Sequence, residues 1–383
     1  MTKKLILIIL LAAIAILFSL SLRRETSKTP TPPEENISVI SETQKSGATD
    51  AVKAVTVVVA SNLEIPWDIA FLPDGNMLVT ERVGRLLLID KTGLQRKIIF
   101  EQKKQHGEGG LLGVVLHPDF ATNYFLYLYM TAESENGQTK NRVVRYRYEN
   151  DGLKDERVII SDIPGATYHD GGRMEFGPDG MLYVTTGDAT TGKIAQDKNS
   201  LGGKILRLKD DGGIPSDNPF GTAIYSYGHR NPQGLAWDEA GRLWETEHGP
   251  TGEGGICCRD EVNLIRAGTN YGWPTIRGLE SKTGMQTPKL NSGTSEAWAP
   301  ASALYFQGSL FFGGLKGEAL YEAVLDGENV TKLKTHFKGK FGRIRSIRLG
   351  PDGMFYLTTS NRDGRGSPTT DDDRIIRVNP ELL

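Results

Sequence analysis

The sequence lacks the features that would place it in several common classes of protein. Its only two cysteines, Cys257 and Cys258, are adjacent, which excludes a scaffold held by conventional loop-closing disulfides. The 45 basic and 47 acidic side chains nearly cancel, so the net charge of −2 gives no reason to expect a nucleic-acid partner. A phosphate-binding loop, a GxGxxG motif that opens a helix after a strand and a GxSxG motif are all absent. Nicotinamide and flavin folds therefore have no support.

Long hydrophobic runs are also scarce, and the one present lies at the N-terminus. Leu5–Leu22 spans 18 residues without a charge and is flanked by lysines and arginines. At helical rise it covers about 27 Å, close to the roughly 30 Å of a bilayer core, so residues 1–24 are predicted to form a membrane anchor. A cleaved signal segment is the alternative. Residues 25–50 are predicted to be a flexible linker, with the following domain outside the cytoplasm.

The remaining sequence, residues 51–383, repeats one short unit six times. Each unit is a polar turn bearing Gly or Pro, followed by alternating apolar and β-branched residues, as in FLPDGNMLVT and LGPDGMFYLTT. The turns begin at Pro73, Pro118, Pro178, Asp238, Gln307 and Pro351. Their spacing suits four-stranded blades of roughly 40–50 residues with loops added. We predict an all-β six-bladed β-propeller, with an irregular array of β-sandwiches as the alternative.

Two polar clusters interrupt the repeats and are candidates for chemistry. His169, in the segment YHDGGR, offers a neutral imidazole that can accept a proton near pH 7. Arg230 and Asn231, in YGHRNPQGL, offer a guanidinium and an amide that suit an anion or a developing oxyanion. The alternatives are a loop histidine satisfied by the backbone and an arginine that caps strand carbonyls. We expect the longest segments between turns, Asp119–Gly177 and Asp238–Phe306, to build the site.

Oxygen-rich and basic segments complete the candidate set. Gly249-Pro250, Asp260-Glu261 and Asn270–Pro274 offer carbonyl and carboxylate oxygens, which suit Ca²⁺ although their spacing matches no EF-hand loop. Ordinary polar turn residues are the alternative. Lys316 and the arginines at 343, 345 and 348 are expected on loops of two late blades. In a strand Arg343 and Arg345 would face the same way and repel unless an anion or a carboxylate joins them, and an anionic ligand is the natural partner. The alternative is surface ion pairing, with Asp371, Asp372 or Asp373 as partners.

Several strings in order resemble the soluble pyrroloquinoline quinone (PQQ)-dependent glucose/sorbosone dehydrogenases, and within them the aldose sugar dehydrogenase branch. The strings are IPWDIAFLPDG, GEGGLLGVVLHPDF, HDGGRMEFGPDG, YGHRNPQGLAW, HGP…DEVNLI, NYGWP and GRIRSIRLGPDG. The resemblance covers nearly all of residues 55–380. It implies a six-bladed propeller that oxidises C1 of aldoses to the lactone, with hydride transfer to PQQ and with Ca²⁺ polarising the quinone.

The resemblance also implies a role for each matching residue. His169 resembles the general base, and Arg230 and Asn231 resemble the pair that contacts PQQ. Gly249 and Pro250 resemble carbonyl ligands of the catalytic Ca²⁺. Lys316, Arg343 and Arg345 resemble the cations that hold the PQQ carboxylates. Glu261 and Tyr271 resemble ligands of a second, structural Ca²⁺.

The chain departs from the family pattern at two places. Glu108, in GEGGLLG, replaces a common Gln at a position that contacts PQQ, and its carboxylate would repel the PQQ anion unless it is protonated or paired. The loop between Gly249 and Asp260 is enlarged, and both cysteines fall in the insert. Cys257 and Cys258 are either partly buried thiols or a vicinal disulfide, which we expect to stiffen this loop and narrow the sugar entrance.

These observations predict a membrane-tethered, externally facing PQQ- and Ca²⁺-dependent aldose dehydrogenase that passes electrons to an unidentified acceptor. A propeller lactonase or other metal hydrolase is one alternative, and it would favour a carboxylate-dominated channel over a basic one. A non-catalytic binding propeller is the other, and the presence of both His169 and the Arg230-Asn231 pair argues against it.

Overall fold

The computed structural model describes residues 55–102, 107–133, 139–252 and 256–383. The predicted anchor and linker, residues 1–24 and 25–50, lie outside the described residues. Within the described ranges, no helix is both long enough and apolar enough to cross a membrane. The described residues form six four-stranded antiparallel sheets, which confirms the predicted six-bladed propeller.

Twenty-four strands build the six sheets. In chain order they are β1 (Thr56–Ala60), β2 (Pro66–Phe71), β3 (Met77–Glu81), β4 (Arg85–Ile89), β5 (Arg96–Glu101), β6 (Leu111–Leu116), β7 (Phe125–Glu133), β8 (Thr139–Glu149), β9 (Gly152–Pro164), β10 (Met174–Phe176), β11 (Leu182–Thr186), β12 (Lys204–Leu208), β13 (Ile224–Tyr227), β14 (Pro232–Trp237), β15 (Leu243–Glu247), β16 (Glu261–Ile265), β17 (Leu290–Asn291), β18 (Pro300–Phe306), β19 (Ser309–Gly314), β20 (Ala319–Asp326), β21 (Asn329–His336), β22 (Ile344–Leu349), β23 (Phe355–Thr359) and β24 (Ile375–Val378). The described helices are short, namely α1 (Phe120–Asn123) and 3-10 turns at Gly192–Ala195 and Pro380–Leu382.

The repeated turn has the same place in every blade, between the first strand and the second. In the first blade Gly75 donates its N–H to the carbonyl of Leu72 and has a φ of 87°. The equivalent Gly180 and Gly353 both have a φ of 74°, a left-handed conformation that glycine adopts without a Cβ penalty. In the second blade the connection has the same place but a different conformation, because α1 forms it. The second strands β3 and β11 are buried along their whole length.

The ring closes with a strand from each end of the described chain. The last blade has the order β1-β24-β23-β22, so Thr56 pairs with Val378 and the N-terminal strand completes the C-terminal sheet. The other five blades each use four consecutive strands. Closure of this kind leaves no blade with a missing outer strand.

Buried charges join three blades around the propeller axis. The guanidinium of Arg173 lies 2.6 Å from the carboxylate of Asp68 in β2, and that of Arg348 lies 2.7 Å from the same group. Arg348 also pairs with Glu175 in β10. The expectation that Arg345 and Arg348 lie on loops is wrong, because both belong to β22. Arg348 pairs within this axial cluster, which we define as Asp68, Arg173, Glu175 and Arg348.

Candidate active site

One cavity of about 590 Å³ receives residues from every part of the ring. Its walls come from connections between blades, from connections between second and third strands, and from the first strands β2, β14 and β22. Six of the predicted residues line it together, namely Glu108, His169, Arg230, Lys316, Arg343 and Arg345. The two long segments do contribute, but so do Trp67, Leu315 and Arg365, which lie outside them.

His169 is held in a fixed orientation by an acidic residue that the sequence did not reveal. Its Nδ1 lies 2.7 Å from the carboxylate of Asp188, which is almost completely buried. Asp188 also accepts hydrogen bonds from the indole of Trp273 at 2.7 Å and from the backbone of Thr190 at 2.9 Å. Gly187 permits this approach, because a Cβ there would overlap the carbonyl oxygen of His169. The pairing through Nδ1 leaves Nε2 for a substrate.

Arg230 and Asn231 are buried beside His169 and are anchored in different ways. The Nη1 of Arg230 donates to the carbonyl of His248 at 3.2 Å, and its guanidinium lies 5.4 Å from the ring centroid of Trp273. The Oδ1 of Asn231 accepts the backbone N–H of Gly171 at 3.1 Å. The Nδ2 of Asn231 is buried and has no partner among the described residues, so it can donate to a bound ligand.

Arg343 and Arg345 form one wall of the cavity, and only Arg343 pairs with a carboxylate among the described residues. Arg343 pairs with Asp363 at 2.8 Å, so the suggested pairing with Asp371, Asp372 or Asp373 is wrong. Arg345 donates to the neutral side chain of Gln233 at 3.2 Å. Its Nε is buried without a partner among the described residues, and burial lowers its pKa to about 9. This wall therefore carries more positive charge than its own residues neutralise. An anion in the cavity would satisfy it.

Glu108 is paired and ionised. Its Oε1 lies 2.5 Å from the guanidinium of Arg365, and its Oε2 accepts the backbone N–H of His169 at 3.1 Å. Burial opposes ionisation, yet the charge and hydrogen bond of Arg365, with the backbone N–H of His169, hold the pKa of Glu108 down at about 2. The sequence predicted that Glu108 must be protonated or paired, and it is paired. Its partner, Arg365, lies 257 residues away along the chain.

The Gly249-Pro250 turn borders the cavity between two lining residues, His248 and Thr251. The backbone N–H of Gly249 donates to Asp260 at 2.9 Å. A Cβ on Gly249 would overlap the carbonyl oxygen of Cys258, so the cysteine segment packs directly behind the turn. Cys257 and Cys258 are joined as a disulfide, which is the second of the two expected states.

Glu261 and Tyr271 lie away from the cavity, beside a group of buried acids. Glu245, Glu247 and Glu261 occupy neighbouring positions on β15 and β16, and burial raises the pKa of each, that of Glu247 to about 8. Oε1 of Glu245 and Oδ1 of Asn263 are buried without partners among the described residues. The hydroxyl of Tyr271 donates to the carbonyl of Leu264, so only its backbone carbonyl remains for a metal. This donor set suits a hard cation.

Sequence reasoning missed His248 and Arg365, which line the cavity, and also Asp188 and Asp363, which lie behind the lining and hold His169 and Arg343. Asp188 lies two residues after the repeat strand β11, and an acidic residue at the end of a repeated hairpin was the available signal. His248 stands next to Gly249, and burial lowers its pKa to about 3, so it presents a neutral imidazole to the cavity. Asp363 and Arg365 carry no local signal.

Comparison with known proteins gives consistent relatives. The family model for Glucose / Sorbosone dehydrogenase matches residues 63–376. The aldose sugar dehydrogenase YliI of Escherichia coli is 34% identical over 342 residues, which cover 80% of this chain and 90% of that protein. The PQQ-bound form of an aldose sugar dehydrogenase from Streptomyces coelicolor is similar with a TM-score of 0.78 and 37% identity, covering 85% of this chain and 97% of that one.

Proposed function

The chain belongs to the glucose/sorbosone dehydrogenase family, and on that premise we propose that it is a PQQ- and Ca²⁺-dependent enzyme that oxidises aldose sugars at C1 to the lactone. The observation that carries the proposal is the joint presence, in one cavity, of an imidazole held by Asp188 and of a wall with excess positive charge. When bound, PQQ supplies a hydride acceptor, and Ca²⁺ supplies a Lewis acid that polarises its quinone.

The cavity residues fit a polycarboxylate cofactor. Lys316, Arg343 and Arg345 would hold its carboxylates, because among the described residues Asp363 pairs with Arg343 and leaves Arg345 without a carboxylate partner. The unpartnered Nε of Arg345 and Nδ2 of Asn231 are donors that such a ligand would use. Arg230 would face the oxygen that gains negative charge, where a fixed guanidinium lowers the barrier.

His169 would act as the general base. The imidazole Nε2 takes the proton of the sugar C1-hydroxyl while C1 loses its hydride. Asp188 donates no proton in this step. It fixes the ring through Nδ1 and stabilises the imidazolium that forms. Trp273 and Thr190 in turn hold the carboxylate of Asp188 in place.

Two calcium sites form part of the proposal. The carbonyl oxygens of Gly249 and Pro250 would hold the catalytic ion at the edge of the cavity, where backbone oxygens suit Ca²⁺. Glu261 and the carbonyl of Tyr271 would hold a structural ion. The raised pKa values of the buried carboxylates beside them indicate that a cation would relieve mutual repulsion.

We further propose that residues 1–24 anchor the enzyme, that residues 25–50 are a tether, and that the propeller lies outside the cytoplasm, where an external acceptor receives electrons. The uncharged run Leu5–Leu22 supports the anchor. The disulfide between Cys257 and Cys258 suits an oxidising compartment. Membrane fractionation of the full-length chain tests this placement. We expect the protein in the membrane fraction, and its recovery in the soluble fraction would contradict the anchor.

One assay separates this proposal from a lactonase or a binding propeller. The full-length protein is supplied with PQQ and Ca²⁺, and reduction of an artificial dye is followed with a panel of aldoses, with lactone identified as product. We expect reduction that requires both PQQ and an aldose. Lactone hydrolysis without PQQ would favour the hydrolase. The absence of both dye reduction and lactone hydrolysis with all of the sugars would favour a binding protein.

A further inference from the structure

We propose that Glu108, Arg365 and Tyr168 form a charge-balanced rim that selects neutral aldoses over sugar acids and sugar phosphates. We call these three residues the rim. The inference rests on the proposed function and adds to it the charge class of the substrate.

The rim stands beside His169 and joins loops from three parts of the ring. Glu108 lies between β5 and β6, Tyr168 lies between β9 and β10, and Arg365 lies between β23 and β24. All three line the cavity. Because the carboxylate of Glu108 also accepts the backbone N–H of His169, the rim is tied directly to the reacting end of the site.

The rim is more accessible than the positive wall. The side chain of Arg365 is 52% exposed and that of Glu108 is 21% exposed, whereas Arg343 and Arg345 are 5% and 6% exposed as residues. The guanidinium of Arg365 lies 5.2 Å from the ring centroid of Tyr168, within the range of a cation–π contact. We therefore assign the deep arginines to the cofactor and the rim to the sugar that arrives from solvent.

An ionised pair matches the chemistry of a neutral sugar. A hydroxyl group both donates and accepts hydrogen bonds, so vicinal hydroxyls can use the carboxylate of Glu108 and the remaining N–H groups of Arg365 together. An ionised carboxylate or phosphate group on a sugar has no hydrogen to donate to Glu108. The negative charge of that group is also repelled by the carboxylate of Glu108. Glu108 remains ionised throughout the neutral range, because its pKa is about 2.

The balance between the two charges makes a specific prediction. Glu108→Gln keeps an oxygen that can accept the N–H of His169, but it leaves the cation of Arg365 without its partner. We expect the kcat/KM ratio of glucuronate or glucose 6-phosphate to glucose to rise at least fivefold. Arg365→Gln should lower the same ratio, because the carboxylate of Glu108 is then uncompensated. The double variant should return towards the parent ratio, since both charges are gone.

A matched control lies far from the cavity. Arg266 and Glu328 form an exposed ion pair of the same length, 2.5 Å, with side chains that are 56% and 41% exposed. Arg266→Gln removes one surface cation without touching the rim, so the ratio should stay within twofold of the parent. The double variant serves as a second test of the inference if either single variant fails to fold.

The experiment measures kcat/KM for glucose, glucuronate and glucose 6-phosphate on the PQQ- and Ca²⁺-loaded full-length protein and its variants. Opposite shifts in the two single variants, with reversal in the double variant, support the rim. Equal ratios in all variants of a parent that oxidises glucose would overturn the rim and leave the proposed function intact. A parent that oxidises none of the sugars would overturn the proposed function, and the rim would fall with it.

Discussion

The axial cluster and the cavity wall are both groups of buried charge, yet they differ in balance. The axial cluster sets two guanidiniums, Arg173 and Arg348, against two carboxylates, Asp68 and Glu175. In the wall, Asp363 pairs with Arg343, while Arg345 contacts the neutral side chain of Gln233 and has no carboxylate partner among the described residues. A balanced cluster needs nothing from outside and fastens the blades together. An unbalanced one is costly until an anion binds, so the imbalance marks the site of the ligand.

The largest effect should come from breaking the balanced cluster. Asp68→Asn would leave two buried guanidiniums facing one carboxylate. We expect the free energy of unfolding to fall by about 3–5 kcal/mol, the usual cost of removing one partner from a buried pair. Urea unfolding of the full-length protein measures this loss. An unchanged midpoint would mean that water or repacking replaces the carboxylate, and that the cluster does not hold the ring.

Next in size is the loss of the base from the cavity. His169→Ala should lower kcat by about 10²-fold or more, because no other imidazole is held by a buried carboxylate at the described cavity. Steady-state dye reduction gives the value. His336→Ala is the control, since that imidazole pairs with Glu322 on the outer strands β20 and β21 of one blade. Turnover of His169→Ala near that of the parent would reject the assignment.

Removal of calcium should have a smaller effect on stability. Ca²⁺ at about 100 times its dissociation constant would stabilise the fold by about 2.7 kcal/mol through binding to the native state alone. The bound cation would offset the free-energy cost of burying the carboxylates of Glu245, Glu247 and Glu261. Thermal unfolding with Ca²⁺ and with a chelator measures the difference. A chelator that leaves Tm unchanged would remove the structural ion from the proposal.

The sequence predicted what is local and repeated, and missed what depends on closure of the ring. The blades were predictable because each turn and its following strand, as at Pro178 and β11, are specified within about ten residues. The joining of β1 to β24 was not, because it depends on where the first and last strands of the described residues meet. Glu108 and Arg365 are 257 residues apart, and no short motif relates them. His169 was found by its loop, whereas its partner Asp188 became evident only from their 2.7 Å contact.

The most direct test is a binding titration that compares the two clusters. PQQ is titrated into the cofactor-free full-length protein by calorimetry, in parallel with Arg345→Gln. We predict saturable binding to the parent and an affinity at least tenfold lower for the variant, while its urea midpoint is equal or higher because a poorly compensated buried charge has been removed. Equal affinity in the two proteins, or a variant that is destabilised as strongly as Asp68→Asn, would contradict the assignment of the unbalanced wall to an anionic cofactor.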